Sequence, residues 1–150
     1  MTNITFHLVP TPTLAAVDAV LPALLEGFVR AGRKVVVRCP DDERLRRLNE
    51  TLWTFAPESF LPHGTAADGF AARQPVYLTT QPNDVPNNAD VLVRVSGSDA
   101  PDVSTFDDVL DVFDGSDRQK EAARARWRTL KEQGYPLTHL EWTGTDWRKK

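Results

Sequence analysis

The chain has 150 residues and a formal net charge of −3, from 18 Lys and Arg against 21 Asp and Glu. That length suits one domain, residues 1–150, with a core of its own, and the acidic balance has the wrong sign for a protein that lives on duplex DNA. The single cysteine allows no internal disulfide and fits a reducing, cytoplasmic setting. No apolar run approaches the ~18 residues a membrane span requires, and MTNITFHLV has no basic segment ahead of its apolar run to make a secretory signal.

Ile4–Val9 is β-rich and is closed by Pro10 and Pro12. Leu14, Val17, Leu21, Leu24, Leu25 and Phe28 then recur at helical spacing, predicting a helix from about Thr13 to Ala31 that Pro22 bends or breaks. Lys34–Cys39 is a short, β-branched run suited to a strand buried on both faces of a parallel sheet. Asp41 or Asp42 caps the next helix, whose apolar stripe is Leu45, Leu48, Leu52 and Trp53. Residues 60–64 read as a short extended piece and 65–73 as a surface loop. Strands follow at 76–80 and 91–95, separated by a Pro- and Asn-rich loop at 81–88. Residues 106–113 are ambiguous by period, but VLDVF is compact and β-rich, so a strand is expected. The Asp-rich stretch from Asp99 to Asp117 is most simply a solvated acidic loop. Near the end, Thr138–Trp142 is expected as a short edge strand and TDWRKK as a loose tail. Strands alternating with helices imply an α/β fold, a mostly parallel sheet with helices on both faces.

One helix stands out. DRQKEAARARWRTLKEQGY, Asp117 to Tyr135, is filled with strong helix formers, with Ser116 or Asp117 at its start and Gly134 and Pro136 at its end. Lys120, Arg124, Trp127, Arg128 and Lys131 fall at i, i+4, i+7, i+8 and i+11, along one side. A row of cations around one aromatic makes a poor core and a good dock for an acidic peptide ending in an apolar residue. The same pattern also fits a solvated basic face with Trp127 packed inward beside Ala123 and Leu130.

Motifs for chemistry are missing. The first strand–helix junction, VPTPTL, has no Gly-rich turn to cradle phosphate, and neither GxGxxG nor GxxxxGK[ST] occurs. Cys39 stands before a helix start, with His63 as a conceivable base, but a lone Cys in an apolar strand reads as core. His7, His63 and His139 lack ligand spacing, so no metal site is expected. Trp53 and Phe60 flank a Pro-containing turn and are either core or interface anchors.

Two stretches, DERLRRLNETLWTFAPESFLPHG at 42–64 and QKEAARARWRTLKEQGY at 119–135, resemble the chi subunit family of bacterial DNA polymerase III. The opening TFHLV, and GRKVVV before an acidic helix start, match the same family. The likeness runs in order over nearly the whole chain and is weakest in the loops 66–74 and 81–90. It implies a Rossmann-like fold lacking a nucleotide-binding loop, no cofactor, and an accessory subunit rather than a catalyst. It further implies a link between the clamp-loader complex and single-stranded-DNA-binding protein. One surface would take that protein's acidic C-terminal tail, which ends in Pro-Phe, and another the psi subunit or, in some bacteria, a helicase partner. Nucleic acid would be reached only indirectly. Carried over by position, the tail-binding cations fall on Lys120 and Arg124, the aromatic on Trp127 where the family often has Tyr, and the next cation on Arg128. The psi-facing aromatics fall on Trp53 and Phe60. The competing reading from the residues alone is a direct single-stranded nucleic-acid-binding module in which Trp127 stacks on a base.

Overall fold

A computed structural model of the chain describes residues 2–54, 63–98 and 103–150. Its elements run β1 (Asn3–Val9), α1 (Leu14–Arg30), β2 (Val35–Arg38), α2 (Asp42–Thr54), β3 (His63–Gly64), β4 (Val76–Thr79), β5 (Val91–Val95), β6 (Asp108–Asp114), α3 (Asp117–Glu132), β7 (Leu137–Trp142) and β8 (Trp147–Lys149). The strands form one sheet in the order β3-β4-β2-β5-β6-β1-β7-β8. All neighbours pair in parallel except β7 and β8, which are antiparallel.

The central strands show why the sheet needs cover on both sides. Every residue of β2 and β5 is buried, so neither face of VVVR or VLVRV can be left to water. On one face α1 supplies Val17, Leu21 and Leu25 and α2 supplies Leu48 and Leu52, against Val35, Val37, Val91 and Val93. On the other, α3 supplies Ala123 and Leu130 against Ile4, Phe6, Leu92 and Val109. Successive strand residues point to opposite faces, so one run of valines feeds both cores.

Helix ends follow their local chemistry. The Thr13 side chain accepts from the Ala16 N–H at 3.2 Å and starts α1, which then continues through Pro22 without a break. Asp41 caps α2 by accepting from the Arg44 N–H at 2.8 Å. Ser116 caps α3. At the far end of α3, Tyr135 N–H donates to Leu130 O and Gly134 N–H to Lys131 O. Gly134 sits at φ +87°, the left-handed position of a Schellman stop.

Four expectations need correction. The 65–73 segment is not plain loop: it holds two 3-10 turns, the first closed by a capping box in which Thr65 and Asp68 satisfy each other. The Asp-rich stretch is not a solvated loop throughout, because Asp111 and Asp114 lie on β6 and are buried. The 138–142 strand is not the sheet's edge, since β7 pairs with β1 on one side and β8 on the other. The tail is not loose: Trp147 packs against Trp142 at 5.1 Å and edge-on to His7 at 4.7 Å. Those contacts, and the Thr143–Asp146 turn bonds, hold Trp147–Lys149 in register.

Candidate functional site

The two faces of the sheet are not covered equally. α1 and α2 span one face. On the other, α3 is the one α-helix among the described residues; it packs chiefly on β6, and β7 is followed by a hairpin rather than by another helix. Between α3 and β7 the sheet surface therefore stays open as a groove of about 890 Å³.

Its floor is apolar. Phe6 and Leu8 from β1, Phe113 from β6, Ala123 from α3 and Leu137 from β7 line it. The registers Phe6–His139 and Leu8–Glu141 bring His139 and Glu141 to the same floor. Its rim is cationic, with Lys120, Arg124 and Arg128 on the helix side and Lys149 and Lys150 on the β8 side, against Glu141 as the one acidic side chain among the described lining residues. At one end of the groove the backbones meet closely: a Cβ on Gly115 would stand 2.0 Å from the Pro10 carbonyl oxygen, so only glycine lets the β6–α3 junction pass the end of β1 there.

Trp127 answers both readings of its position. It is half-buried and packs edge-to-face with Phe6 at 5.2 Å and with His139 at 6.2 Å. It nevertheless lines the groove beside Arg124 and Arg128, forming wall rather than core. Among the described residues Arg124 and Arg128 carry no ion pair, and Lys120 has only the exposed Asp117 at 3.9 Å. Lys131, the last cation of the sequence row, is exposed and lies outside the groove. Arg126, embedded among these cations in the sequence, has a different task. It makes a two-pronged bond to buried Asp111, Nε to Oδ2 at 2.7 Å and Nη2 to Oδ1 at 2.8 Å, which fixes the roll of α3 on the sheet.

His139 is held below the usual imidazole range, first by burial and then by the nearby Lys150, with Glu141 opposing. It is therefore neutral at pH 7, and the groove's positive potential comes from its Lys and Arg. His7, on the opposite face, is pushed down to about 4 by burial. Cys39 is a core side chain, and its burial drives the thiol up to about 12, which leaves it a poor nucleophile. His63 packs at a tilt against Trp53, ring centroids 4.7 Å apart. No cluster of His, Cys, Asp and Glu able to hold a metal occurs among the described residues.

Asp18 near the start of α1 pairs with Arg44 of α2 at 2.7 Å and with Arg47 at 3.3 Å, and Arg44 Nε also donates to Ser96 Oγ at 3.2 Å. This network ties α1 to α2 and to Ser96, just after β5.

Trp53, at the end of α2, is 52% exposed and is not part of the core stripe with Leu48 and Leu52. It stands near β3, at the opposite end of the sheet from the groove. Phe60 lies outside the described residues.

The family described as "DNA polymerase III chi subunit, HolC" matches residues 1–138. The chain belongs to the DNA polymerase III chi subunit family. The chi subunit of Escherichia coli is 30% identical over 146 residues, covering 95% of this chain and 99% of that protein. That of Pseudomonas aeruginosa is 30% identical over 137 residues, 91% and 94% of the two chains. The Haemophilus influenzae chi subunit is 24% identical over 134 residues, 89% and 92%. Lys120, Arg124, Trp127 and Arg128, where the chi resemblance puts tail binding, all line one groove. The floor residues and the β8 wall were not singled out from sequence. Their signal was the apolar alternation of Ile4, Phe6 and Leu8, and the Trp-Thr-Gly-Thr-Asp-Trp hairpin near the end.

Proposed function

We propose that this chain is a non-catalytic accessory subunit of a DNA polymerase III complex whose groove takes the acidic C-terminal tail of single-stranded-DNA-binding protein. The observation that carries the reading is the coincidence of an apolar floor with a rim of the cations Lys120, Arg124 and Arg128 beside the Trp127 ring. The tail's terminal ring would enter the floor beside Phe6, Leu8 and Trp127, contributing roughly 1.5–3 kcal/mol. Its terminal carboxylate suits an arginine, whose planar fork binds two oxygens at once. The upstream carboxylates meet exposed cations that individually add only ~0–1 kcal/mol but speed and orient the encounter. Less the cost of ordering a disordered tail, this amounts to affinity on the order of micromolar, weakening with salt.

Calorimetry with a short acidic peptide ending in Pro-Phe tests the assignment. Arg124→Ala and Lys120→Glu should each weaken binding about 5-fold or more, the scale of ~1 kcal/mol per charge contact, while thermal melts stay unchanged. Wild-type affinity in both variants rejects the assignment. The rival reading, direct capture of single-stranded nucleic acid, asks Trp127 to offer a free ring face; its contacts with Phe6 and His139 favour a wall instead. In a competition between peptide and oligonucleotide, the peptide should win.

The second partner, a psi subunit or a helicase, is assigned to the half-exposed Trp53 beside His63. Six strand steps separate β3 from β7, about 29 Å at the usual spacing between strands. Two partners could sit at the two ends of the sheet together, which is what a link between the clamp-loader complex and a DNA-bound protein needs. Trp53→Ala should reduce retention of that partner in a pull-down with little change in melting temperature. Full retention would remove Trp53 from the interface.

A further inference from the structure

We propose that Lys150 forms a second docking wall, exchanging its own partner Glu141 for a carboxylate on the incoming acidic peptide. The inference rests on the peptide reading above and extends it to a part of the chain that the family match, ending at residue 138, does not include.

The geometry is specific. Lys150 N–H donates to the His139 carbonyl at 3.1 Å, so the backbone after β8 is still registered to β7. That register puts Lys150 over the α3-side surface of β7, across the groove from Arg124 and Arg128. Its ammonium reaches Glu141 at 3.1 Å, and the two side chains are 54% and 33% exposed. Glu141 in turn lies beside Leu8 in the floor. Lys150 is therefore a cation lining the groove whose side-chain partner among the described residues is Glu141.

An ion pair this wet is weak, so trading one carboxylate for another is nearly neutral in the pair itself. The trade is not neutral for the groove. Glu141 is its only negative side chain among the described residues, and it both occupies Lys150 and repels the peptide. It acts as a brake on affinity, whereas Lys150 is a contact. This arrangement makes the two halves of one ion pair act with opposite sign, which a purely structural bridge would not do.

The test is calorimetric titration of the whole chain with an acidic peptide ending in Pro-Phe, on Lys150→Gln, Glu141→Gln and the double variant, with Arg124→Ala alongside. Lys150→Gln should weaken binding about 3-fold and Glu141→Gln should tighten it about 3-fold, the scale of one exposed charge contact. The Lys150→Gln effect should be larger in the Glu141→Gln background, where the lysine is no longer shared. Both effects should shrink in high salt. Lys150→Arg keeps the charge and should bind like wild type, which guards against a loss of β8 being mistaken for a loss of contact. Wild-type affinity for Lys150→Gln, or weaker binding by Glu141→Gln, overturns the exchange. If that happens while Arg124→Ala still weakens binding, only the second wall is lost. If Arg124→Ala and Lys120→Glu are also silent, the groove reading itself has failed.

Discussion

Arg126→Ala should cost ~3–5 kcal/mol of folding free energy, because it strips the partner from a carboxylate that cannot reach water. Asp111 is 1% exposed and sits mid-strand on β6. With both Arg126 prongs gone, it must either stay charged without a bonded partner, its register neighbour Arg94 being bonded to the Ser98 carbonyl, or take up a proton, and each option penalises the folded state. Asp111→Ala should be comparably harmful, leaving an arginine whose side chain is 15% exposed facing the sheet. Replacing both, as Asp111→Leu with Arg126→Met, should recover much of the loss, since paired removal leaves no orphan charge. Urea unfolding of the two single variants and the double gives the coupling directly. Additive losses would mean that the pair does not act as a unit. The result also bears on the groove, because this pair sets the angle at which α3 presents Arg124 and Trp127.

Asp18→Ala should lower stability by a similar ~3–5 kcal/mol. Its carboxylate neutralises Arg44, and both side chains are 4% exposed. Arg44 would be left with the Ser96 hydroxyl as its remaining side-chain partner among the described residues. Arg47 provides the internal control. It bonds to the same carboxylate, but its side chain is 50% exposed, so Arg47→Ala should cost no more than ~1 kcal/mol. Chemical denaturation separates the two. If both substitutions cost the same small amount, the α1–α2 crevice is wetter than its packing indicates.

These two pairs mark the boundary of what could be read from residues in a row. The helical spacing of Lys120, Arg124 and Trp127 was legible, because a helix converts sequence offset into a face by fixed geometry. The division of labour among its arginines was not. Arg124, Arg126 and Arg128 are one residue type at intervals of two, and only the packing of α3 on β6 shows that the middle one is inward and paired. Asp111 carried a cue: a lone carboxylate inside VLDVF, otherwise an apolar strand, demands a cation from elsewhere. Asp18, buried among the apolar residues of α1, carried the same cue. The sheet was legible through its buried valine runs, and its order only in part, since parallel pairing leaves no local signature. β8 was hidden for a different reason. It is three residues long, its polar residues read as tail, and what holds it is a contact between Trp147 and residues on β7 and β1.

Without β8, the unpaired amide and carbonyl groups of the six-residue β7 would form the sheet's border, a template on which a strand from another molecule could assemble. With β8 in place, that border is three residues long and carries the exposed, like-charged Arg148 and Lys149. Short and positive, it offers a neighbouring copy few bonds and a repulsive approach. On this side of the sheet, the border is therefore a poor template for strand addition by a neighbouring copy.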